Sequence, residues 1–303
     1  MAHETVLLQE SVDVLNIVPG DVVVDATVGG AGHFALLMAK LGSEGTLIGI
    51  DADTDAIARA QVIYDRAEEA PKMFLAEDNF RNLTEVLDAR DIQQIDKSLF
   101  DLGWSGFQLS RGRGFSFQTE EPLLMTYADP DSEEDGEKIQ TAASVVNTAT
   151  EEQLSDMLYE LGEEQFSRRI AHAIVEARKK ERILTTFQLV DVIKNGTPSW
   201  YHHRRLHPAT KTFQALRMYV NDELGALREG LNSAIARTAP KGRIAVITFH
   251  SIEDRIVKNL FRDEIAKGTG SLVTKKPIVP TTQELSQNPR ARSAKLRVFE
   301  KNY

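Results

Sequence analysis

Over the first hundred residues, short and nearly unbroken apolar runs take turns with segments whose apolar residues return every three or four positions. The runs DVVVDAT (21–27), TLIGID (46–51), KMFLAE (72–77) and DKSLFDL (96–102) predict strands. The intervening segments 32–41, 54–66 and 81–89 predict helices. Strands apolar on both faces belong to a parallel sheet covered on both sides, and right-handed crossovers make it a doubly wound α/β unit.

The alternation stops near residue 105. A glycine- and arginine-rich stretch (SGFQLSRGRGFSFQ) follows, then an acidic loop, then helical patterns at 151–161, 163–181 and 185–194. Thr150 with Gln153 reads as a capping box for the first. Residues 106–210 are therefore expected to form a mostly helical domain, inserted between 1–105 and 211–303. The α/β pattern then resumes. TFQALRMYVNDELGALREGLNSAI reads as one long helix, with Phe213, Leu216, Val220, Leu224, Leu227, Leu231 and Ile235 on one stripe. GRIAVITFHS (242–251) predicts a buried strand, 252–267 a helix capped by Ser251, and AKLRVFEK a last strand.

Composition narrows the chemistry. The 303 residues contain no cysteine, which excludes disulfides, thiolate nucleophiles and zinc–thiolate sites. The segment MAHETVLLQE lacks a signal pattern, and no apolar run would span a bilayer, so a cytoplasmic protein is expected. The net charge of −9 argues, taken whole, against nucleic acid. Its distribution argues otherwise. Residues 120–137 hold eight acids and no base, while 265–299 hold seven bases and one acid, Glu284. Between Asp191 and Asp222 lie Lys194, Arg204, Arg205, Lys211 and Arg217 with no acid. Such segregation can leave a basic face on an acidic protein; a merely solvated surface is the plainer alternative.

The stretch VVVDATVGGAGHFALLMAKLG (22–42) is a strand, a glycine loop and a helix start. Backbone N–H groups and a helix N-terminus then face a ligand. Asp51, nineteen residues after Gly32, ends the next strand, where an acid can accept both hydroxyls of a ribose. Gly30-Ala31-Gly32 lacks the third glycine of a dinucleotide fingerprint and the lysine of a P-loop. Asp25 followed by Thr27, Gly29 and Ala31 looks like the first motif of S-adenosylmethionine-dependent methyltransferases. Glu77, Asp78 and Phe80 would lie by the adenine. DLGWSG (101–106) offers Asp101 and Trp104 where enzymes methylating exocyclic base amines carry a polar-Pro-Pro-aromatic motif, with Leu102 and Gly103 replacing the prolines. Such an amine must pyramidalise to attack, and a carboxylate accepting its N–H favours that shape. Asp101 is the candidate acceptor; a contact with cofactor alone is the alternative.

Three further sets stand out. His250, Ser251 and Glu253 end a strand at the carboxyl edge, where His250 could orient a base or assist proton loss, and where a capped turn would equally explain them. WYHHRRLHPATK places Trp200 beside Arg204 and Arg205, suited to stacking bases and holding phosphates. Metal binding by His202, His203 and His207 is weaker, since adjacent histidines share one metal poorly. Arg290, Arg292, Lys295 and Arg297 form a second candidate phosphate contact, and Arg111 and Arg113, flanked by glycines, suggest a loop that orders on substrate.

HETVLLQESVDVL, DATVGGAGH, DLGWSGFQLS, RGFSF, HPATKTFQALRMYVNDEL, TFHSIEDRIVK and NPRARSAKLR occur in that order. Together they resemble the bacterial ribosomal RNA small-subunit methyltransferase H family, from residue 3 to about residue 299. The resemblance implies a Rossmann-like methyltransferase sheet with an inserted helical domain. It implies S-adenosylmethionine as cofactor and transfer to N4 of a cytosine in the decoding region of small-subunit ribosomal RNA. It maps cofactor contacts onto Ala31, Gly32, His33, Asp51, Phe80, Asp101 and Gln108, the last on resemblance alone. The implied partner is small-subunit ribosomal RNA or the small subunit, with no membrane, for a monomer or homodimer. Three departures stand against the family pattern: Ala31 for a usual glycine, Trp104-Ser105-Gly106-Phe107 for V-S-S-P before the glutamine, and Glu120–Tyr127 for D-G-P-L-D-M-R-M. Another nucleic-acid amine as substrate, or a non-catalytic ribosome-assembly factor, are the rival readings.

Overall fold

The computed structural model describes residues 5–102, 112–127, 133–134 and 137–302. Two compact units divide the chain: Met1–Ser105 with Leu224–Tyr303, and Gly106–Glu223.

The first unit is a doubly wound α/β sheet. In chain order its first half is α1 (Leu8–Leu15), β1 (Val22–Asp25), α2 (Gly32–Leu41), β2 (Thr46–Asp51), α3 (Thr54–Asp65), β3 (Lys72–Glu77), α4 (Leu83–Asp88) and β4 (Ile95–Asp101). The second unit begins with a short ladder of β5 (Glu133–Glu134) and β6 (Glu137–Lys138). Its helices are α5 (Ala142–Thr148), α6 (Glu151–Glu160), α7 (Ser167–Arg178), α8 (Thr186–Gly196) and α9 (Thr210–Val220). The sheet unit resumes with α10 (Glu223–Arg237), β7 (Thr238–Thr248), α11 (Ser251–Ala266), β8 (Gly270–Leu272), α12 (Thr282–Gln287) and β9 (Lys295–Lys301).

The seven strands run in the order β3-β2-β1-β4-β7-β9-β8. Pairings through β7 are parallel, while β9 is antiparallel to both neighbours. Two-residue periodicity sends Val23, Leu47, Leu99, Ala245, Ile247, Leu296 and Val298 into one buried cluster with Leu15, Phe34 and Leu37. Val24, Ile48, Phe100, Ile244 and Val246, one step out of phase, are buried as well. The parallel strands all deliver their carboxyl ends to one edge, which is where a doubly wound sheet binds ligands.

In the second unit, α6, α7 and α8 pack in sequence and α9 packs on α5 and α6. Thr150 and Gln153 form the expected capping box, with reciprocal bonds of 3.1 and 2.8 Å. The expected single helix over 212–235 is instead two, α9 and α10, broken at Asn221 and Asp222, the latter at φ 45°. Arg217 and Glu223 close the break with an ion pair of 2.6 Å, and Asn221 Nδ2 donates to the Met125 and Arg217 carbonyls. The compact units accordingly part at Glu223 and Leu224, not between residues 210 and 211.

Candidate active site

At the carboxyl edge, the end of β1 is tied to its neighbours by backbone. Ala26 N–H donates to Leu99 C=O, Val28 N–H to Ile50 C=O, and Asp101 N–H to Thr27 Oγ1 at 2.6 Å. The glycine loop is held from below by Asp51. Its Oδ2 accepts the Gly29 N–H at 2.7 Å and its Oδ1 the Asp53 N–H at 2.8 Å. A carboxylate oxygen can accept more than one hydrogen bond, so these two bonds leave Asp51 able to accept from a further donor. Burial pushes its carboxyl pKa up, against the pull of those two N–H groups. Arg59 on α3 donates twice to the Gly29 carbonyl, at 3.2 and 3.0 Å.

Ala31 adopts φ 63° and stands immediately before α2, with no side chain capping that helix. Ala31 itself offers the first N–H groups of α2 no side-chain acceptor, which suits the helix start to a polar ligand. The Ala31 methyl belongs to the buried cluster that includes Val28 and Phe34, so this departure is absorbed by the core. Gly32 has no room for a side chain, because a Cβ there would fall 2.0 Å from Thr5 Oγ1.

His33 carries the chemistry inward. Its Nδ1 lies 3.4 Å from Asp101 Oδ2, and the ring is almost wholly buried. Burial lowers the imidazole pKa, but the Asp101 hydrogen bond and charge, the Asp25 charge and the Val6 carbonyl outweigh it, so the net shift is upward. Among the described residues Nε2 nevertheless completes no well-formed hydrogen bond. Asp25 is fully buried, with its Oδ1 accepting the Thr27 N–H and its Oδ2 unpartnered among the described residues. Burial pushes its pKa up to about 7, with the Asp101 and Asp51 charges adding to the rise and His33 opposing it. Asp25, His33 and Asp101 thus stand together as an acid–histidine–acid cluster at the edge.

Phe80 stands edge-on to Phe100 at 5.7 Å. Gly230 of α10 meets it: a Cβ there would fall 2.7 Å from the Phe80 ring and 2.9 Å from its carbonyl. Glu77 accepts from Thr54 Oγ1 at 2.7 Å, and Asp78 Oδ1 accepts from Asn79 and Asn82. Gln108, Arg111 and Trp104–Phe107 lie outside the described residues.

His250 sits three residues past Ile247, the register partner of Asp101. It, and not Ser251, is the N-cap of α11. Its ring accepts the Glu253 N–H, while Glu253 Oε2 accepts the Phe249 and His250 N–H groups. His250 Nε2 also approaches Glu253 Oε1 to 2.9 Å, at an angle poor for a hydrogen bond. The ring is thus engaged in the cap. Asp254 does more than favour a helix dipole: it accepts from Lys295 at 2.9 Å and Arg297 at 2.6 Å. Burial opposes, but those two bases outweigh it and hold its carboxyl below the usual range. Lys295 and Arg297 are therefore paired, whereas Arg290 and Arg292 stay exposed on the turn at 289–293.

In the second unit, Trp200 is 52% exposed, with Arg204 4.9 Å above its ring and 5.3 Å from that of Tyr201. Phe166 meets both aromatics edge-on, and the Tyr201 hydroxyl donates to fully buried Glu164 at 2.7 Å. Arg204 and Arg205 are exposed. The three histidines have separate tasks. His202 meets Thr197 Oγ1 at 3.0 Å, His207 stacks on Phe117 at 4.5 Å, and His203 is exposed. Arg113 is not a loose substrate arm, since it donates to the Thr126 and Tyr127 carbonyls. The departing segment 120–127 makes its own contacts. Glu121 accepts from Gly114 N–H, and the Tyr127 hydroxyl donates to Glu223 at 2.9 Å.

Sequence reasoning missed Thr5, Arg59 and Gly230. Only Gly230 left a signal, as a glycine inside a helix, which marks a close approach.

The family model described as the MraW methylase family matches residues 1–302. A protein of Deinococcus radiodurans named ribosomal RNA small subunit methyltransferase H is 48% identical over 99% of this chain and 90% of its own. One of the same name from Persephonella marina is 45% identical over 99% of each chain. An rRNA methylase from Streptococcus thermophilus of known structure aligns over 99% of this chain and 98% of its own, at 12% identity and a TM-score of 0.45, too low to carry an argument.

Proposed function

The chain belongs to the MraW methylase family, and from that premise we propose that it methylates N4 of a cytosine in the decoding region of small-subunit ribosomal RNA, using S-adenosylmethionine. The name borne by the relatives at 45–48% identity supports the ribosomal substrate. The observation that carries the chemistry is the Asp101–His33 contact at 3.4 Å, at the sheet's carboxyl edge beside an uncapped helix start.

The residues suit the cofactor: Ala31, Gly32 and His33 open α2, Asp51 offers its spare lone pairs to a ribose, and Phe80 an aromatic face to an adenine. Gln108 joins them by family resemblance. S-adenosylmethionine, when bound, supplies a methyl group activated on a sulfonium. Asp101 accepts an N–H of the cytosine amine and so directs its lone pair at that methyl. His33, 3.4 Å from Asp101 Oδ2, holds that carboxylate in place for the amine. When the methyl passes from the bound cofactor to the amine nitrogen, the amine's surplus proton would leave to Asp101 or to water. The base must be unpaired or flipped out to reach this position.

The second unit, Gly106–Glu223, takes the part of a substrate-recognition domain, with Trp200, Arg204 and Arg205 on unpaired nucleotides and Arg111 on the substrate, while Arg113 anchors that stretch through the Thr126 and Tyr127 carbonyls. Arg290 and Arg292 contact phosphates. His250 takes its part through the α11 cap, orienting the edge at which the base arrives. The setting is the cytoplasm, where small subunits are assembled. The test is incubation of the pure protein with labelled S-adenosylmethionine and unmethylated small subunits, followed by mass identification of the labelled nucleoside. N4-methylcytidine at one position is expected. Label on DNA only would replace the substrate, and cofactor binding without turnover would turn the reading toward an assembly factor.

A further inference from the structure

Residues 5–7 form a strap ahead of α1 that reaches the candidate cofactor loop at two points. Thr5 fills the space where a Gly32 side chain would stand, with its Oγ1 2.0 Å and its Cβ 3.0 Å from that Cβ position. The Val6 carbonyl contributes to the field at His33. Val6 and Leu7 are buried in the same apolar cluster as Ala31 and Phe34.

The strap does not sit there by local preference. Leu7 adopts φ 51° and ψ 36°, a left-handed conformation that a branched apolar residue avoids unless its surroundings impose it. Burial of its side chain and one long-range bond hold it: the Leu7 N–H donates to Glu284 Oε1 at 2.7 Å, across 277 residues of sequence. A bond to an ionised acceptor is stronger than one between neutral groups. Glu284 is itself fixed, because its own N–H donates to Thr281 Oγ1, the cap of α12. It is also the one acid among the seven bases of 265–299.

We propose that Glu284 is a positioning residue for the cofactor site, holding the Thr5–Leu7 strap against Gly32 and His33 and thereby setting affinity for an adenosyl ligand. The inference rests on the reading of the 29–33 loop as the cofactor loop. Glu284 would touch neither cofactor nor substrate, and would act only through the strap.

The experiment is calorimetric titration of S-adenosylhomocysteine into the full-length chain, alongside amide hydrogen exchange and thermal melting. Glu284→Ala is expected to weaken binding about tenfold, the scale of one lost charge-assisted hydrogen bond. Exchange should speed up at residues 5–9 and at 30–35 together. Glu284→Gln keeps an acceptor oxygen and should recover most of the affinity, which a general loss of folding would not explain. Thr5→Ala leaves α12 untouched and should weaken binding several-fold, so it tests the strap even where Glu284→Ala does not fold. Equal affinity in Glu284→Ala and the unaltered chain, with exchange raised only at 5–9, would overturn the inference alone. Absence of binding to the unaltered chain would overturn the cofactor reading as well.

Discussion

The acid–histidine cluster at the sheet edge and the aromatic–arginine cluster of the helical unit are both candidate binding surfaces, yet they are built on opposite plans. Asp25, His33 and Asp101 come from β1, α2 and β4, and the first two are buried, so their charges are felt at full strength. Trp200, Tyr201, Arg204 and Arg205 come from one short stretch of chain, and the arginines lie in solvent. Long-range assembly gives a site in which the Asp25 and His33 charges act on each other. Local assembly gives a surface whose charges are screened by salt and whose energy lies in stacking. A reaction centre needs the first property, and a grip on a polyanion needs only the second.

The largest effect that could separate them is on turnover. Asp101→Ala is expected to lower kcat by roughly a thousandfold or more, within the range of a lost group acting only in the transition state. Single-turnover rates with saturating cofactor would measure it, and near-normal turnover would remove Asp101 from the reaction.

Next comes the pH dependence of stability. Asp25 is raised to about 7 by burial, and His33 is also raised, so the folded state holds both protons more tightly than the unfolded chain does. Stability from Asp25 is therefore fully present below about pH 4 and is lost as pH rises toward 7; that from His33 is lost above its unfolded pKa. Asp25→Asn should flatten the fall between pH 4 and 7 and be the more stable protein at pH 7. The gain should be a few kcal/mol, at about 1.4 kcal/mol for each tenfold difference in proton affinity between the folded and unfolded chains. Urea unfolding across that range would test this, and parallel curves for the two proteins would count against a raised Asp25 pKa.

In the helical unit the expected effects are smaller and of another kind. Trp200→Ala should weaken RNA binding about tenfold, as for one lost stacking contact, with kcat at saturating RNA unchanged. Arg205→Ala should reduce the slope of log affinity against log salt by about one. A pH-dependent loss on either substitution would erase the contrast between the clusters. Smallest of all is Ala31→Gly. Relief of the left-handed alanine is worth about 1 kcal/mol and is largely offset by the lost buried methyl, so melting should barely move.

The strands were legible because burial on both faces leaves an apolar run that no helix of that length explains. Asp25, Asp51 and Asp101 were legible because each ends such a run. The capping box at Thr150 was legible because its two partners are three residues apart. The break between α9 and α10 was not, since Val220 and Leu224 continue the apolar stripe straight across it. What interrupts the helix is a set of bonds: Arg217 to Glu223, Asn221 to Met125 and Tyr127, and Glu223 to Tyr127. His250 as cap was hidden by Ser251, a better capping residue by type, one position later. The link from Leu7 to Glu284 has no local trace at all, because nothing in either segment refers to the other.

The parallel pairing of β4 with β7 puts Asp101 opposite Ile247, so these neighbouring strands are separated by roughly 140 residues of chain. The entropy of bringing two ends together grows only with the logarithm of the length between them. Replacing a single-helix crossover by so long a detour therefore adds on the order of 1–2 kcal/mol. A whole folded unit can thus be accommodated at this crossover for little more than the free energy of a methyl or two, which makes it a point where a catalytic sheet can acquire new specificity without being rebuilt.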